Sequence, residues 1–173
     1  KKVLPIFELT MRNLLNGGDV IDRRDFLARA DLLAACGMTV LISDYFEYYR
    51  LAAYLAWRTK ERIGIVLGAP SLIELFEEKY YTQLPGGILE SFGRLFKNDL
   101  KLYVYPLKNA DTDELTTVEN LPVALELRKL YGYLADRGSF VNLDNFNPDY
   151  LSIFSRDVLK KIATGDKEWK EMV

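Results

Sequence analysis

The order of apolar and polar positions along the chain predicts strands and helices in alternation. Val3 to Leu9 is an apolar run broken early by Pro5 and predicts a first strand. Met11 to Asn16 reads as a short helical turn closed by Gly17-Gly18. Asp22, with Asp25 three residues later, opens a helix, because aspartate is a favoured N-cap and acidic residues suit the first turn. Phe26, Leu27, Ala30, Leu33 and Ala34 follow helical spacing, and Gly37 supplies the stop.

The richest stretch lies between residues 38 and 71. Thr39 to Ser43 predicts a strand covered on both faces, a helix runs from Tyr45 to about Thr59, and Ile63 to Leu67 predicts the next strand. Asp44 and Glu47 form an Asp-x-x-Glu variant of the capping box, and Ser71 with Glu74 repeats the signature as Ser-x-x-Glu. The helix between is apolar almost all round, so Tyr48, Tyr54 and Trp57 are expected to be buried in the core or against another subunit or domain. The two strands are expected to be adjacent and parallel, with the helix crossing right-handed between them. Asp44 and Gly68 to Ser71 would then share one sheet edge, where open α/β sheets bind ligands.

Beyond Ser71, a helix extends to about Tyr80, and Gly86-Gly87 opens another over Ile88 to Lys97. Leu100 to Tyr105 predicts a fourth strand ended by Pro106, and the polar segment Lys108 to Thr117 a surface loop. Asn120 and Pro122 open a helix over Val123 to Asp136 that Gly138 ends. Phe140 to Leu143 predicts a short fifth strand, and Asn147-Pro148 starts a last helix to about Thr164, with Gly165 as its stop. This order predicts one α/β domain over residues 1–173: a Rossmann-like three-layer sandwich on a mostly parallel sheet of about five strands. The start at Lys1 and the end at Val173 predict a fragment of a longer protein.

Composition narrows the function classes. The 23 basic and 25 acidic residues leave a net charge of −2, so no basic field for nucleic acid is expected. No apolar run approaches the roughly 20 residues a membrane helix needs, and no membrane partner is expected. The single cysteine, Cys36, allows no internal disulfide and predicts a reducing, cytoplasmic compartment. It reads as a small buried hydrophobe rather than a nucleophile. The chain has no histidine, which excludes His-ligated metals, Ser-His-Asp triads and His general bases within these residues. Catalysis, if the chain is an enzyme, rests on carboxylates, Tyr, Lys, Arg and backbone amides. No metal site is expected, and the cofactor stays open.

Four groups are candidates for a ligand site. Ser43 and Asp44 stand at a strand's carboxyl end and at a helix start; Asp44 either binds a ligand there or only caps the helix. Gly68 and Ser71 flank a strand-to-helix turn, where exposed amides and the helix dipole favour anions. Arg50, among Tyr45, Tyr48 and Tyr49, has the chemistry to pair with a phosphate beside stacking rings, though tyrosines on such a helix also suit a core or an interface. Ser155 and Arg156 would meet an anion if a helix began there, but Asn147-Pro148 places them in mid-helix.

Resemblances add to this reading. The apolar strand before Asp44 is similar to that of haloacid-dehalogenase phosphatases, but Phe46 stands where their second acid would be. Ile153 to Ile162 resembles the Ile-Ser-x-Thr-x-x-Arg helix start of nucleotidylyltransferases, with Phe154 at its Ser position, Arg156 at its Thr position and Leu159 at its Arg position. Ile42 to Arg50, Glu61 to Gly68 and Phe92 to Pro106 resemble the later part of a family of longer uncharacterised bacterial proteins. Its members carry transferred labels such as nicotinamide-nucleotide adenylyltransferase or TonB-dependent receptor. The first label implies a Rossmann-like order, but its His-x-Gly-His motif is not in these residues. The second implies lipid-facing barrel strands, which a helix-rich pattern does not supply.

The expected function is binding of a small phosphate-bearing or nucleotide ligand, related to nucleotidyl or phosphoryl transfer. The alternative is a structural or assembly domain that dimerises through the aromatic helix 45–59 without a ligand. The expected partners are therefore a phosphate or nucleotide, and a second copy or the rest of a longer chain.

Overall fold

The computed structural model describes residues 3–11, 23–109 and 112–172. It is a mixed α/β protein whose chain divides into two compact units, Lys1–Lys60 and Glu61–Val173. The helical turn expected over Met11 to Asn16 and the Asp22 cap fall outside the described residues, except for Met11.

The first unit contains β1 (Ile6–Thr10), α1 (Arg23–Ala35), β2 (Thr39–Ser43) and α2 (Tyr48–Arg58). β1 and β2 pair in parallel, in register from Ile6 opposite Thr39 to Thr10 opposite Ser43. Residues in register on parallel strands share a face, so Glu8, Thr10, Leu41 and Ser43 line one side of this ribbon. α1 packs on β2 and buries Phe26 and Ala30. β2 is not covered on both faces as its apolar run predicts, since Ile42 is 46% exposed. Cys36 is exposed rather than buried, just past the end of α1.

The second unit follows a regular strand-helix alternation. β3 (Gly64–Gly68) leads into α3 (Ala69–Leu75), a 3₁₀ turn over Glu78–Tyr81 and α4 (Gly87–Leu95), and then β4 (Lys101–Tyr105). The expected surface loop holds a small antiparallel hairpin, β5 (Leu107–Lys108) with β6 (Leu115–Thr116). α5 (Arg128–Asp136) and β7 (Phe140–Asn142) follow, then a 3₁₀ turn over Pro148–Ser152 and α6 (Ser155–Thr164). β3, β4 and β7 form a three-stranded parallel sheet in that order. One face of it carries Ile65, Leu67, Leu102, Val104 and Phe140. The Phe140 ring meets Phe76 and Phe96 edge-on and stacks on Tyr131, and Phe76 packs edge-on against Phe92 and Tyr131. Leu72, Leu102 and Val104 have no exposure at all.

The expected adjacency of residues 39–43 and 63–67 is not formed. β2 pairs with β1 and β3 pairs with β4, and no ladder among the described residues joins β2 to β3. An apolar run specifies a strand, but both of its hydrogen-bonding edges are made of the same backbone, so it does not specify the neighbour. The helix between them is also shorter than expected. It begins at Tyr48, with Glu47 as its N-cap, and Trp57 is 73% exposed.

Candidate functional site

The carboxyl ends of β1 and β2 gather the most polar chemistry in the first unit. The in-register pairing ends both strands together, at Thr10 and Ser43. The Ser43 hydroxyl donates to the Glu8 carboxylate and accepts the Tyr45 N–H at 3.2 Å. The Thr10 hydroxyl donates to the Tyr45 carbonyl at 3.0 Å, and the Met11 N–H donates to the Ser43 carbonyl at 3.1 Å. Ser43 is buried, with its hydroxyl used once as donor and once as acceptor. The cluster therefore clamps the turn that leaves β2, and it presents a half-buried carboxylate at the strand ends.

Asp44 lies in that turn and is exposed. It does not cap the helix, because α2 starts four residues later behind Glu47. Arg50 sits in the first turn of α2, where it donates to the Tyr49 hydroxyl at 3.2 Å and pairs with Glu47 at 3.4 Å. The Tyr49 hydrogen bond, then the charge of Glu47, raises the Arg50 pKa above its ordinary value. Its charge is therefore already engaged with its own helix.

Gly68 and Ser71 fall in the second unit, so Asp44 and Gly68 end strands of different sheets. Gly68 is the N-cap of α3 in ordinary extended backbone, φ −79° and ψ 158°. Ser71 is the third residue of that helix, not its cap, and its capping-box role is replaced. Proline's fixed φ suits a helix start, and with Pro70 in the first turn the N-cap falls at Gly68, three residues before Ser71. Pro70 has no N–H, so an anion here would lose one of the donors a helix start offers. A Cβ on Gly68 would stand 3.4 Å from Pro70 Cδ, which an alanine could occupy.

Ser155 and Arg156 open α6 instead of lying mid-helix. Asn147 caps only the preceding 3₁₀ turn, its side chain accepting the Asp149 N–H at 3.0 Å, and extended backbone at Ile153 and Phe154 separates the two helices. Arg156 lies over the Phe154 ring, 5.2 Å from its centroid.

Two arrangements carry no motif in the sequence. At the carboxyl end of β7, the Asn142 amide donates to both Glu119 oxygens at 2.7 and 2.8 Å and accepts the Val118 N–H at 3.0 Å. The Tyr131 hydroxyl donates to the Val118 carbonyl. Hydrogen bonds from Thr117 and then Asn142 hold Glu119 below its ordinary pKa. Burial, with a smaller contribution from the Glu119 charge, pushes Tyr131 up to about 12. The second arrangement is an apolar groove of about 200 Å³ between α4 and α5. Gly93, a glycine inside the apolar pattern of α4, is a hint of the groove in the sequence, whereas nothing there singles out Asn142 with Glu119.

Among the described residues, no group of three or more Cys, Asp or Glu could hold a metal ion, and no helix is long and apolar enough to cross a membrane. No protein-family model, no curated protein and no solved structure matches the chain.

Proposed function

We propose that this chain is an assembly domain that dimerises through α2. The observation that supports this reading is the ladder of Trp57, Arg58 and Tyr54 on that helix. The Arg58 guanidinium lies 4.3 Å from the Trp57 ring centroid and 5.2 Å from that of Tyr54. Trp, Arg and Tyr are the residue types that dominate binding energy at protein interfaces, and Trp57 shows most of its surface to solvent. Sedimentation velocity over a concentration series tests it. The wild-type mass should rise above 19.9 kDa toward twice that value, while Trp57→Ala stays monomeric. A wild type that stays monomeric at every concentration defeats the reading.

A second reading has its own support in the Glu8, Thr10 and Ser43 cluster. In it, a small phosphate-bearing or nucleotide ligand binds beside Asp44 at the carboxyl ends of β1 and β2, in a domain of nucleotidyl- or phosphoryl-transfer type. Parallel strands bind ligands at those ends. A thermal-shift series with ATP, NAD and inorganic phosphate separates the two readings, because only a ligand-binding fold gains stability with ligand. Among the described residues, the parallel pairing within the β1–β2 and β3–β4–β7 sheets supports the finer fold proposal, a Rossmann-like three-layer sandwich. A bacterial, cytoplasmic origin and membership of the adenylyltransferase-labelled family belong to the same proposal.

A further inference from the structure

α2 turns one side to solvent. Arg50, Ala53 and Trp57 are exposed at i, i+3 and i+7 with Tyr54 beside them, whereas Tyr49, Leu51 and Ala52 on the opposite side are buried. The stripe alternates in size, because Ala53 leaves a gap between the long side chains of Arg50 and Trp57. Arg50 keeps 52% of its side chain exposed although it donates to Tyr49 and pairs with Glu47.

The charges of the stripe divide by end. Glu47 stands at the N-terminal end, beside Arg50, and makes no side-chain cap hydrogen bond. Arg58 closes the last turn, and Lys60, two residues further on, is exposed and in no ion pair among the described residues. Two copies of such a helix can meet in two directions. In a parallel pair about a two-fold axis each residue faces its own copy, so Glu47 meets Glu47, Arg50 meets Arg50 and Lys60 meets Lys60. An antiparallel pair sets the acidic end of one helix on the basic end of the other, and the helix dipoles also oppose. Charge complementarity therefore selects a second copy of this helix, in one direction.

We propose that two copies of α2 pack antiparallel about a two-fold axis between Ala53 and Tyr54. This packing rests on the α2 dimer of the preceding subsection. Tyr54 of each copy fills the gap at Ala53 of the other. The same axis sets Arg50 opposite Trp57 and Glu47 opposite Lys60, since each pair is equidistant from it in sequence. Every contact then occurs twice, as a two-fold interface requires. Arg58 holds one side of the Trp57 ring, 4.3 Å from its centroid, and Arg50 of the second copy takes the other.

Sedimentation velocity of the full chain at low ionic strength tests the packing through the dimer dissociation constant. Glu47→Lys and Lys60→Glu should each weaken the dimer about fivefold or more, because each puts two like-charge contacts into it. The double variant Glu47→Lys with Lys60→Glu restores opposite charges and should return to within about twofold of the wild type. Ala53→Leu places a good helix former at an exposed position, so helicity by circular dichroism should be unchanged. It fills the gap that Tyr54 needs and should weaken the dimer about tenfold or more. A dimer that the single reversals leave unchanged, that the double variant does not restore, or that Ala53→Leu tightens overturns this packing and leaves the α2 dimer standing. A wild type that is monomeric at every concentration overturns both.

Discussion

The two units build very different interiors. Among its described residues, the first, Lys1–Lys60, pairs two strands and buries the apolar side chains of Phe26, Ala30, Tyr49, Leu51 and Ala52. Its large apolar residues lie mostly outward, as Val3, Leu4, Leu32 and Trp57 show. The second, Glu61–Val173, has a three-stranded parallel sheet, and the largest fully buried side chains, Leu72, Leu95, Leu102 and Val104, are all its own. Three strands with a covered apolar face can sustain themselves, whereas a two-stranded ribbon needs further cover. The difference teaches that apolar content alone does not make a core. What matters is whether the strands gather enough neighbours to close over it.

The largest expected effect is therefore in the second unit. Leu102 stands between Ile65 and Phe140 in the sheet register, with no exposure. Leu102→Ala should cost about 2–5 kcal/mol in chemical denaturation, as large-to-small core changes do. Leu32→Ala in the first unit removes a mostly exposed side chain and should change stability by about 0.5 kcal/mol or less. Equal losses in the two variants would erase the contrast.

A smaller effect is expected at Gly64, whose missing Cβ is occupied by the Tyr103 ring. A Cβ there would stand 2.6 Å from Tyr103 Cε2. Gly64→Val should cost about 1–3 kcal/mol through overpacking, and Tyr103→Ala in the same chain should recover most of it. Failure of that rescue would show that the ring is not what confines the position.

Tyr131→Phe should cost about 1 kcal/mol, because it leaves the Val118 carbonyl without its donor. The same residue gives a pH test. Its folded pKa is raised, chiefly by burial, so the neutral phenol's contribution is present below the ordinary tyrosine value near 10 and is lost as pH rises toward about 12. In an ultraviolet titration, the wild type should show a tyrosine ionisation step well above pH 10 that is absent from Tyr131→Phe. The smallest effect belongs to Trp57→Ala. The side chain is mostly exposed, so monomer stability should move by about 0.5 kcal/mol or less.

Much of the fold was legible, and the failures are local and physical. The apolar runs predict β2 at its observed bounds, and the strands at 64–68, 101–105 and 140–142 to within a residue or two. Helix starts were misplaced wherever two capping signals competed. Glu47 serves as the N-cap instead of Asp44, and Gly68 with Pro70 overrides Ser71. Strand partners were not legible, because β2 carries no side-chain signal that favours one neighbouring strand over another. Ser43 was found as a strand-end hydroxyl, but its partner Glu8 lies 35 residues away and only the β1–β2 register brings them together. Exposure of Trp57 was missed because an all-round apolar helix does not reveal which side lacks cover.

Native-state hydrogen exchange followed by mass spectrometry, at low and high protein concentration, tests the central contrast most directly. Amides of β3, β4 and β7 should exchange only through global unfolding and be equally protected at both concentrations. Amides of β1, β2 and α2 should exchange faster at low concentration and gain protection at high concentration, and Trp57→Ala should abolish that gain. Protection in the first unit equal to that of the second, and independent of concentration, would contradict the account.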